Sequence, residues 1–331
     1  MNPQRVFVVG DGAWGTALAL VLHANGHRVS VWGYLPEQVD TIRRLRENRE
    51  FLPGVQLPEE VRWTSDASDA GTADVVVLAA PTRFMRGVLQ GFRGHVRPDA
   101  RFVSVAKGLD PSTLQRMSVL AGEVLGLGPV AALSGPSHAE EVARRVPTAV
   151  TVACSDAATA VHLQRMFSNA FFRVYTSADV VGVELGGTLK NVIAVGVGVS
   201  DGLGFGSNTR AALMTRGLAE MTRLGCAMGS SPATFAGLSG MGDLIVTCTS
   251  RLSRNWKVGE RIGRGEAVEA VLGSTRQAVE GVWNCAAALR LAATCGVQMP
   301  VTVEVNAVLQ GGKTPLDAVR SLMLRDVKPE N

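Results

Sequence analysis

The chain has 331 residues, of which 46% are hydrophobic and 19% are charged, and its 33 basic and 29 acidic side chains leave a formal net charge of +4. This composition excludes an intrinsically disordered chain, and the small positive excess excludes a dedicated nucleic-acid-binding protein. No apolar run reaches the roughly 18 residues that a membrane-spanning helix needs, so we expect no membrane insertion. The five cysteines are scattered and never spaced as CxxC, so we expect no disulfide framework, no metal site and a cytoplasmic location.

The first half of the chain alternates short β-branched runs with helical stretches. Six runs predict strands, at residues 6–9, 28–32, 74–80, 101–105, 130–133 and 149–153. They are apolar on both faces, which is typical of parallel strands that helices cover on both sides. We therefore expect a Rossmann-like, doubly wound, mostly parallel sheet that forms a dinucleotide-binding domain over residues 1–178.

From Val180 the pattern changes to long segments rich in Ala, Gly and Leu, with helical spacing. Ser231 and Pro232 have the order of a helix N-cap and a proline at the first helical position. Glycine-rich breaks at 202–206 and 237–242 predict loops within this part. We expect a mostly α-helical, substrate-binding domain over residues 179–331.

The first predicted strand runs directly into GDGAWG at residues 10–15, a GxGxxG motif that a helical stretch follows. In such a motif the first glycine makes a tight turn, the second lets the backbone approach a pyrophosphate, and the third lets the helix pack on the strand. The helix N-terminus stabilises the phosphate charge. The strand before the motif and the helix after it favour a dinucleotide site over a simple glycine-rich turn.

The second predicted strand ends without the usual cue for cofactor choice. An acid at this point binds a ribose 2′-hydroxyl, and an arginine binds a 2′-phosphate. The chain has Trp32, Gly33 and Tyr34 there, with Glu37 a few residues later. Tyr34 could stack on an adenine ring, and the choice between NAD and NADP stays open.

Two motifs in the first half combine small residues with polar or charged ones. Lys107 follows the strand predicted at 101–105, so it lies at the carboxyl edge of the sheet, where doubly wound folds bind ligands. Ser137 follows Gly135 and has capping-box spacing with Glu140. Either residue could serve a ligand, and an exposed lysine and a simple helix cap are the alternatives.

Lys190 has an unusual setting on a helix predicted over residues 183–199. Its neighbours three and four positions away include Gly186 and Gly187, so this helix face is small and apolar and another molecule could approach it closely. A lysine there should be desolvated, which favours the neutral form unless an acid compensates. Lys190 is therefore a candidate for proton transfer, with an ordinary helix lysine as the alternative.

Two later segments offer further polar groups. Asp243 follows the glycine-rich residues 240–242, and Ser253, Arg254 and Asn255 present a hydroxyl, a guanidinium and an amide together. Such a trio suits a phosphate, because arginine can bind it through two parallel charge-assisted hydrogen bonds.

Taken in order, these motifs resemble the bacterial NAD(P)-dependent glycerol-3-phosphate dehydrogenases. The resemblance rests on six segments: GDGAWGTALA from Gly10, VAKGL from Val105, SGPSHAEE from Ser134, ELGGTLKNVIAVG and its continuation from Glu184, GMGDLIVTCTSRLSRN from Gly240, and VEG from Val279. It covers nearly the whole chain, and six ordered motifs are far more specific than the dinucleotide motif alone.

The resemblance implies two sets of site residues. Those implied to hold NAD or NADP are Gly10, Gly12, Ala13, Trp14, Gly15, Tyr34, Lys107, Ala139, Arg254, Ala278 and Glu280. Those implied to surround the phosphorylated substrate are Lys107, Gly135, Ser137, Lys190, Asp243, Ser253, Arg254 and Asn255. Lys190 would be the catalytic acid/base, and Lys107 and Asp243 would be the other catalytic residues.

The implied reaction moves a hydride reversibly between NAD(P)H and dihydroxyacetone phosphate, giving sn-glycerol 3-phosphate for phospholipid synthesis. A related hydroxy-acid dehydrogenase and a non-catalytic, dinucleotide-binding redox sensor are the alternatives. The chain departs from the family at His138, where an aromatic residue is frequent, and at Gly33 and Tyr34, where a basic residue is common. The oligomeric state stays open, with a homodimer among the alternatives.

Overall fold

The computed structural model describes residues 2–275, 277–327 and 329–330. Within these ranges one eight-stranded sheet has the order β3-β2-β1-β4-β5-β6-β7-β8, and every neighbouring pair is parallel except β6 and β7. The strands are β1 Arg5–Val9, β2 Arg28–Trp32, β3 Arg62–Thr64, β4 Val75–Leu78, β5 Arg101–Ser104, β6 Ala131–Ser134, β7 Thr148–Ala153 and β8 Phe172–Ser177. This sheet confirms the predicted doubly wound, mostly parallel fold.

Helices cover both faces of the sheet. They are α1 Ala13–Ala24, α2 Pro36–Leu45, α3 Thr82–Gly91, α4 Met117–Leu125, α5 Ala139–Ala143 and α6 Ala157–Phe167, with a 3₁₀ helix at Ala67–Thr72. Val6 and Val8 of β1 join a core that includes residues of α1 and α6. Phe7 and Val9 join a second core that includes residues of α3 and α4. Both faces of β1 are therefore buried, which is why its sequence is continuously apolar.

The six predicted strands are present, and two further strands were missed. β3 has only three residues, and β8 alternates buried and exposed side chains at the end of the sheet, so neither forms an apolar run. The interpretation of β7 as parallel to its neighbours was wrong on one side, since it is antiparallel to β6. Only the five-residue helix α5 lies between these strands. A helix of that length rises about 7.5 Å, too little to return the chain along a strand of four to six residues.

The rest of the chain is helical, which agrees with the prediction. Its helices are α7 Val180–Gly202, α8 Ser207–Ala227, α9 Pro232–Ala236, α10 Asp243–Thr249, α11 Arg254–Gly263, α12 Val268–Gly273, α13 Glu280–Thr294, α14 Pro300–Leu309 and α15 Pro315–Met323. Ser231 caps α9 as predicted, since its side chain accepts a hydrogen bond from the Ala233 N–H.

The glycine-rich segment before Asp243 is not the predicted loop. Leu238–Gly242 forms one π-helical turn. A Cβ added to Gly240 would overlap the Phe235 backbone, and a Cβ added to Gly186 of α7 would overlap the Ser239 carbonyl. These glycines therefore allow close backbone packing, and the π-helical turn packs against the face of α7 that carries Gly186, near Lys190.

Helix α7 is the centre of the helical part; most of its residues are buried, and its apolar side chains from Leu185 to Val199 join the core there. It is long and apolar enough to cross a membrane by length and composition, with a mean hydropathy of 1.4, but 83% of that window is buried inside the protein. Helix α11 crosses it through a glycine seam, formed by Gly198 and Gly202 of α7 and Gly259 and Gly263 of α11. A Cβ added to any of these four would overlap backbone atoms of the opposite helix.

Candidate active site

The predicted dinucleotide motif forms the turn between β1 and α1. Gly10 has a φ of +122°, and a Cβ added there would lie 2.7 Å from the Ala80 nitrogen. A Cβ on Gly15 would overlap the Gly10 carbonyl, whereas one on Gly12 would meet no atom within 4 Å. The first and third glycines therefore serve the packing of the chain itself, and the second leaves open the approach that a pyrophosphate needs.

The N-terminus of α1 is prepared for an anion. Gly12 is its N-cap, no side chain caps it, and its first turn, which includes Ala13 and Trp14, contains no acidic residue. The first N–H groups of the helix are therefore free to bind phosphate oxygens, and the helix dipole favours the negative charge. These features fit the pyrophosphate of a dinucleotide.

A cavity of about 540 Å³ lies beside this turn. It is lined by Gly10, Asp11, Trp32, Tyr34, Ala67, Ala80, Pro81, Phe84, Gly87, Val88, Gly91 and Phe92. Tyr34 stands at its rim with 73% of its surface exposed, and its ring contacts Trp32 edge-on at 6.1 Å between centroids. The apolar and aromatic lining suits the adenine end of a dinucleotide, and Tyr34 lies where the sequence predicts stacking.

Three charged residues from distant parts of the chain meet at the carboxyl edge of the sheet. Lys107 follows β5, Lys190 lies in the middle of α7, and Asp243 begins α10. Lys107 Nζ donates to Asp243 Oδ2 at 2.6 Å, and Lys190 Nζ donates to Asp243 Oδ1 at 2.7 Å. Lys107 Nζ also donates to the Gly135 carbonyl at 3.1 Å. One carboxylate therefore joins two ammonium groups, and four of the predicted site residues come together.

Burial changes the acid–base properties of this cluster. Lys190 is 6% exposed and Asp243 is 1% exposed. Desolvation lowers the pKa of Lys190 to about 8, with the Asp243 charge opposing the shift. The two lysines hold the pKa of Asp243 below its ordinary value in spite of burial. Lys190 can therefore gain and lose a proton near neutral pH, while Asp243 stays ionised.

The structure adds one residue to this cluster that the sequence analysis missed. The Thr247 hydroxyl accepts from Lys190 Nζ at 2.6 Å and lies 2.6 Å from the Asp243 carbonyl, to which it donates. Thr247 follows Asp243 by four residues on α10, so helical spacing from the predicted acid is the signal that would have found it.

The predicted Ser253, Arg254 and Asn255 trio lies at the start of α11, and its members do different things. Ser253 caps the helix by accepting from the Trp256 N–H at 3.2 Å. Asn255 donates to the Asn191 side chain at 2.9 Å and accepts from the Gly281 N–H at 2.9 Å, so it joins α11 to α7 and α13. The Arg254 residue is exposed, and its guanidinium makes no hydrogen bond to any residue that the structure describes. Arg254 is the member of the trio that is free for an anion.

Glu280, at the start of α13, is already hydrogen-bonded within the protein. Its carboxylate accepts from the Thr82 N–H at 3.1 Å, the Thr82 hydroxyl at 2.7 Å and the Asn284 side chain at 2.9 Å. Burial nevertheless raises its pKa. The predicted Ala278 lies just before this helix.

The segment after β6 differs from the predicted capping box. Helix α5 begins at Ala139 after His138, no side chain caps it, and the Ser137 hydroxyl donates to the Gly135 carbonyl at 2.8 Å. His138 Nε2 is buried without a partner among the described residues. Burial, and then the nearby Lys190 charge, lower the pKa of His138.

The chain is similar to known proteins over its whole length. The family model for the N-terminus of NAD-dependent glycerol-3-phosphate dehydrogenase matches residues 5–160, and the model for the C-terminus matches residues 179–320. The glycerol-3-phosphate dehydrogenase [NAD(P)+] of Geobacillus kaustophilus is 50% identical over 332 residues, which cover 99% of this chain and 96% of that protein. The enzyme of the same name from Geobacter metallireducens is 48% identical and covers 99% of both chains.

Solved structures give the same result. The crystal structure of glycerol-3-phosphate dehydrogenase from Coxiella burnetii has a TM-score of 0.94 at 35% identity and covers 98% of this chain and 99% of its own. A D-mandelate dehydrogenase with NADH has a TM-score of 0.66 at 12% identity, over 95% of this chain and 99% of its own, which shows a shared fold alone.

Proposed function

The chain belongs to the NAD-dependent glycerol-3-phosphate dehydrogenase family, and we propose that its Lys107, Lys190 and Asp243 cluster carries the family's reaction. The protein is an NAD(P)-dependent oxidoreductase that acts on a CH–OH group. In the proposed reaction dihydroxyacetone phosphate is reduced reversibly to sn-glycerol 3-phosphate. The observation that supports this best is that one buried carboxylate, Asp243, is hydrogen-bonded to two lysines in a fold that also has a dinucleotide cradle, the glycine-rich turn of residues 10–15 with the uncapped N-terminus of α1.

The cofactor, when bound in the cradle of residues 10–15, supplies or takes up the hydride at its nicotinamide ring. The first turn of α1 holds its pyrophosphate, and the apolar cavity holds its adenine. Tyr34 covers the cavity at its rim. Glu280 keeps the loop before α3 fixed to α13 through Thr82, so that it shapes the site rather than offering a free acceptor.

Lys190 gives a proton to the substrate oxygen as the carbonyl is reduced, and takes it back in the reverse direction. Its pKa of about 8 suits both directions near neutral pH. Asp243 and Thr247 hold its ammonium in one place. Lys107 stabilises the negative charge that develops on the oxygen, and Asp243 compensates both lysines.

Arg254 binds the substrate phosphate. The Arg254 residue is partly exposed at the start of α11, but burial of its guanidinium lowers its pKa, and the nearby charges of Glu140 and Glu280 oppose that shift. The guanidinium makes no hydrogen bond to any residue that the structure describes. Asn255 supports it by fixing α11 against α7, which carries Lys190. Ser137, which follows β6, and Ser253, which caps α11, would complete the polar surroundings.

We also propose that residues 1–178 form the cofactor domain and residues 179–331 the substrate domain. The apolar cores of the two parts support this division. A cytoplasmic location is supported by the five cysteines, each of which is a free thiol.

The test is oxidation of NADH or NADPH by the purified enzyme with dihydroxyacetone phosphate, against a set of 2-keto acids. We expect turnover with dihydroxyacetone phosphate and little with the keto acids. Turnover with a keto acid instead would indicate a hydroxy-acid dehydrogenase. Cofactor binding without turnover of any of these would indicate a redox sensor.

A further inference from the structure

Asp11 is a carboxylate on the glycine-rich loop that the dinucleotide motif does not require, because the motif fixes only the glycines around it. Its side chain reaches the end of β2. A Cβ added to Gly33 would lie 2.7 Å from Asp11 Oδ2 and 3.0 Å from Asp11 Cγ. Gly33 follows β2 directly, at the position where doubly wound folds carry the acid that binds the ribose 2′-hydroxyl. Asp11 therefore fills, from the neighbouring loop, the space of the acid that β2 lacks.

Hydrogen bonds hold the backbone of Asp11 in place. The Asn48 side chain donates to the Asp11 carbonyl at 2.6 Å and to the Thr16 hydroxyl at 2.9 Å. The Thr16 hydroxyl lies 3.3 Å from the same carbonyl. Asn48 is fully buried. These contacts use the main chain of Asp11 and leave its carboxylate free.

Apart from the backbone N–H of Asp11 itself, the carboxylate has no hydrogen-bond donor among the residues that the structure describes, and it lines the adenine cavity together with Trp32 and Tyr34. Burial raises the pKa of Asp11. A desolvated carboxylate with no donor beyond its own backbone N–H is costly, and a hydroxyl group of a ligand would offset that cost.

The same cavity offers nothing for a 2′-phosphate. Within the described part of the chain, no lysine or arginine lines it. Arg83, next to the lining residue Phe84, stacks on the rings of Phe84 and Trp283 at 5.8 and 5.7 Å. A 2′-phosphate would place its negative charge beside Asp11 without a compensating cation.

We infer that Asp11 accepts a hydrogen bond from the ribose 2′-hydroxyl and makes the enzyme select NADH over NADPH. The specificity-determining acid is thus carried by the glycine-rich loop, and a side chain at Gly33 would collide with Asp11 and with Val39 of α2.

The test measures cofactor binding without substrate, by fluorescence titration of NADH and NADPH, so its result does not depend on which substrate the enzyme reduces. We expect the wild type to bind NADH at least about tenfold more tightly than NADPH. Asp11→Asn keeps the size of the side chain and removes its charge, and we expect it to bring the two dissociation constants within about threefold.

Glu37→Gln is the matched control, because it removes the same charge from an exposed residue just after β2. It should leave the NADH/NADPH ratio unchanged. Asp11→Ser, followed by thermal melting, provides a second variant if Asp11→Asn is destabilised. The inference is overturned if the wild type binds NADPH as tightly as NADH, if the Asp11 variants keep the wild-type ratio, or if Glu37→Gln changes the ratio as much as they do.

Discussion

The cofactor cradle takes its main groups from one stretch, residues 10–15, whereas the charged cluster joins Lys107 to Asp243 across 136 positions of the sequence. The cradle offers backbone N–H groups, and its glycines leave space for a ligand because they have no side chain. The cluster consists of three charges, of which Lys190 and Asp243 are buried and Lys107 is partly buried. Cofactor binding at the cradle should therefore be sensitive to added side-chain atoms, and catalysis at the cluster should be sensitive to the removal of a charge.

Removal of the Lys190 ammonium should have the largest effect. We expect Lys190→Ala to lower kcat by about 10² to 10⁴, because the proton donor is lost from the transition state while cofactor binding is kept. Steady-state kinetics at saturating substrate checks this. Lys257→Ala, on the exposed side of α11, is the control and should keep wild-type turnover. Near-normal turnover in a folded Lys190→Ala enzyme would remove Lys190 from the mechanism.

The variant Arg254→Ala tests whether binding of the substrate phosphate also requires a positive charge. We expect Arg254→Ala to lower kcat/KM for dihydroxyacetone phosphate by at least about tenfold, and that for unphosphorylated dihydroxyacetone much less. Both substrates are measured at saturating NADH, and the dissociation constant of NADH is measured alongside. Equal losses for the two substrates would assign Arg254 to the cofactor.

Gly12→Ala tests the cradle by adding a single methyl group. The backbone of Gly12 has a φ of −64° and a ψ of 172°, which alanine adopts freely, and the added Cβ meets no protein atom within 4 Å. We expect the melting temperature to stay within about 2 °C of wild type. The affinity for NADH should fall about tenfold, because the methyl group enters the path of the pyrophosphate.

Gly10→Ala is the contrasting variant, since its φ of +122° and its contact with Ala80 make any side chain strained. It should lower the melting temperature itself. A Gly12→Ala enzyme that melts as early as Gly10→Ala would show that the second glycine serves packing and not the ligand.

The smallest expected effect is the pH dependence of reduction. Lys190 must be protonated to donate, and its pKa lies at about 8, so the rate should fall as the pH rises through this value. The protonated fraction falls about fourfold between pH 7 and 8.5, and kcat for reduction should follow it. Cys248, with a pKa raised to about 12, and His138, with a lowered pKa, do not titrate in this window. A flat profile would contradict the assignment.

The sequence predicted the cradle more completely than the cluster for a physical reason. The glycine motif lies between a strand and a helix that are adjacent in sequence, so local pattern gives both its structure and its role. Local pattern singled out Lys107, Lys190 and Asp243 one at a time, but their contacts depend on how α7 and α10 pack, which local pattern does not contain. Thr247 was missed although it lies four residues after Asp243 on the same helix, because a buried threonine looks like an ordinary core residue until Lys190 is seen to contact it. The π-helical turn at Leu238–Gly242 was taken for a loop because glycines that allow close packing look like glycines that allow flexibility.

The glycine seam between α7 and α11 sets how closely the two helices that carry Lys190 and Arg254 approach each other. Lys190 lies on α7 and Arg254 begins α11, and where these helices cross, backbone meets backbone at Gly198, Gly202, Gly259 and Gly263. At these four positions the separation of the helices therefore does not depend on side-chain size, and the Asn255–Asn191 hydrogen bond adds a side-chain contact between the same two helices. Core residues elsewhere can change volume and be accommodated by repacking, while a larger residue at any of the four glycines would push α7 and α11 apart.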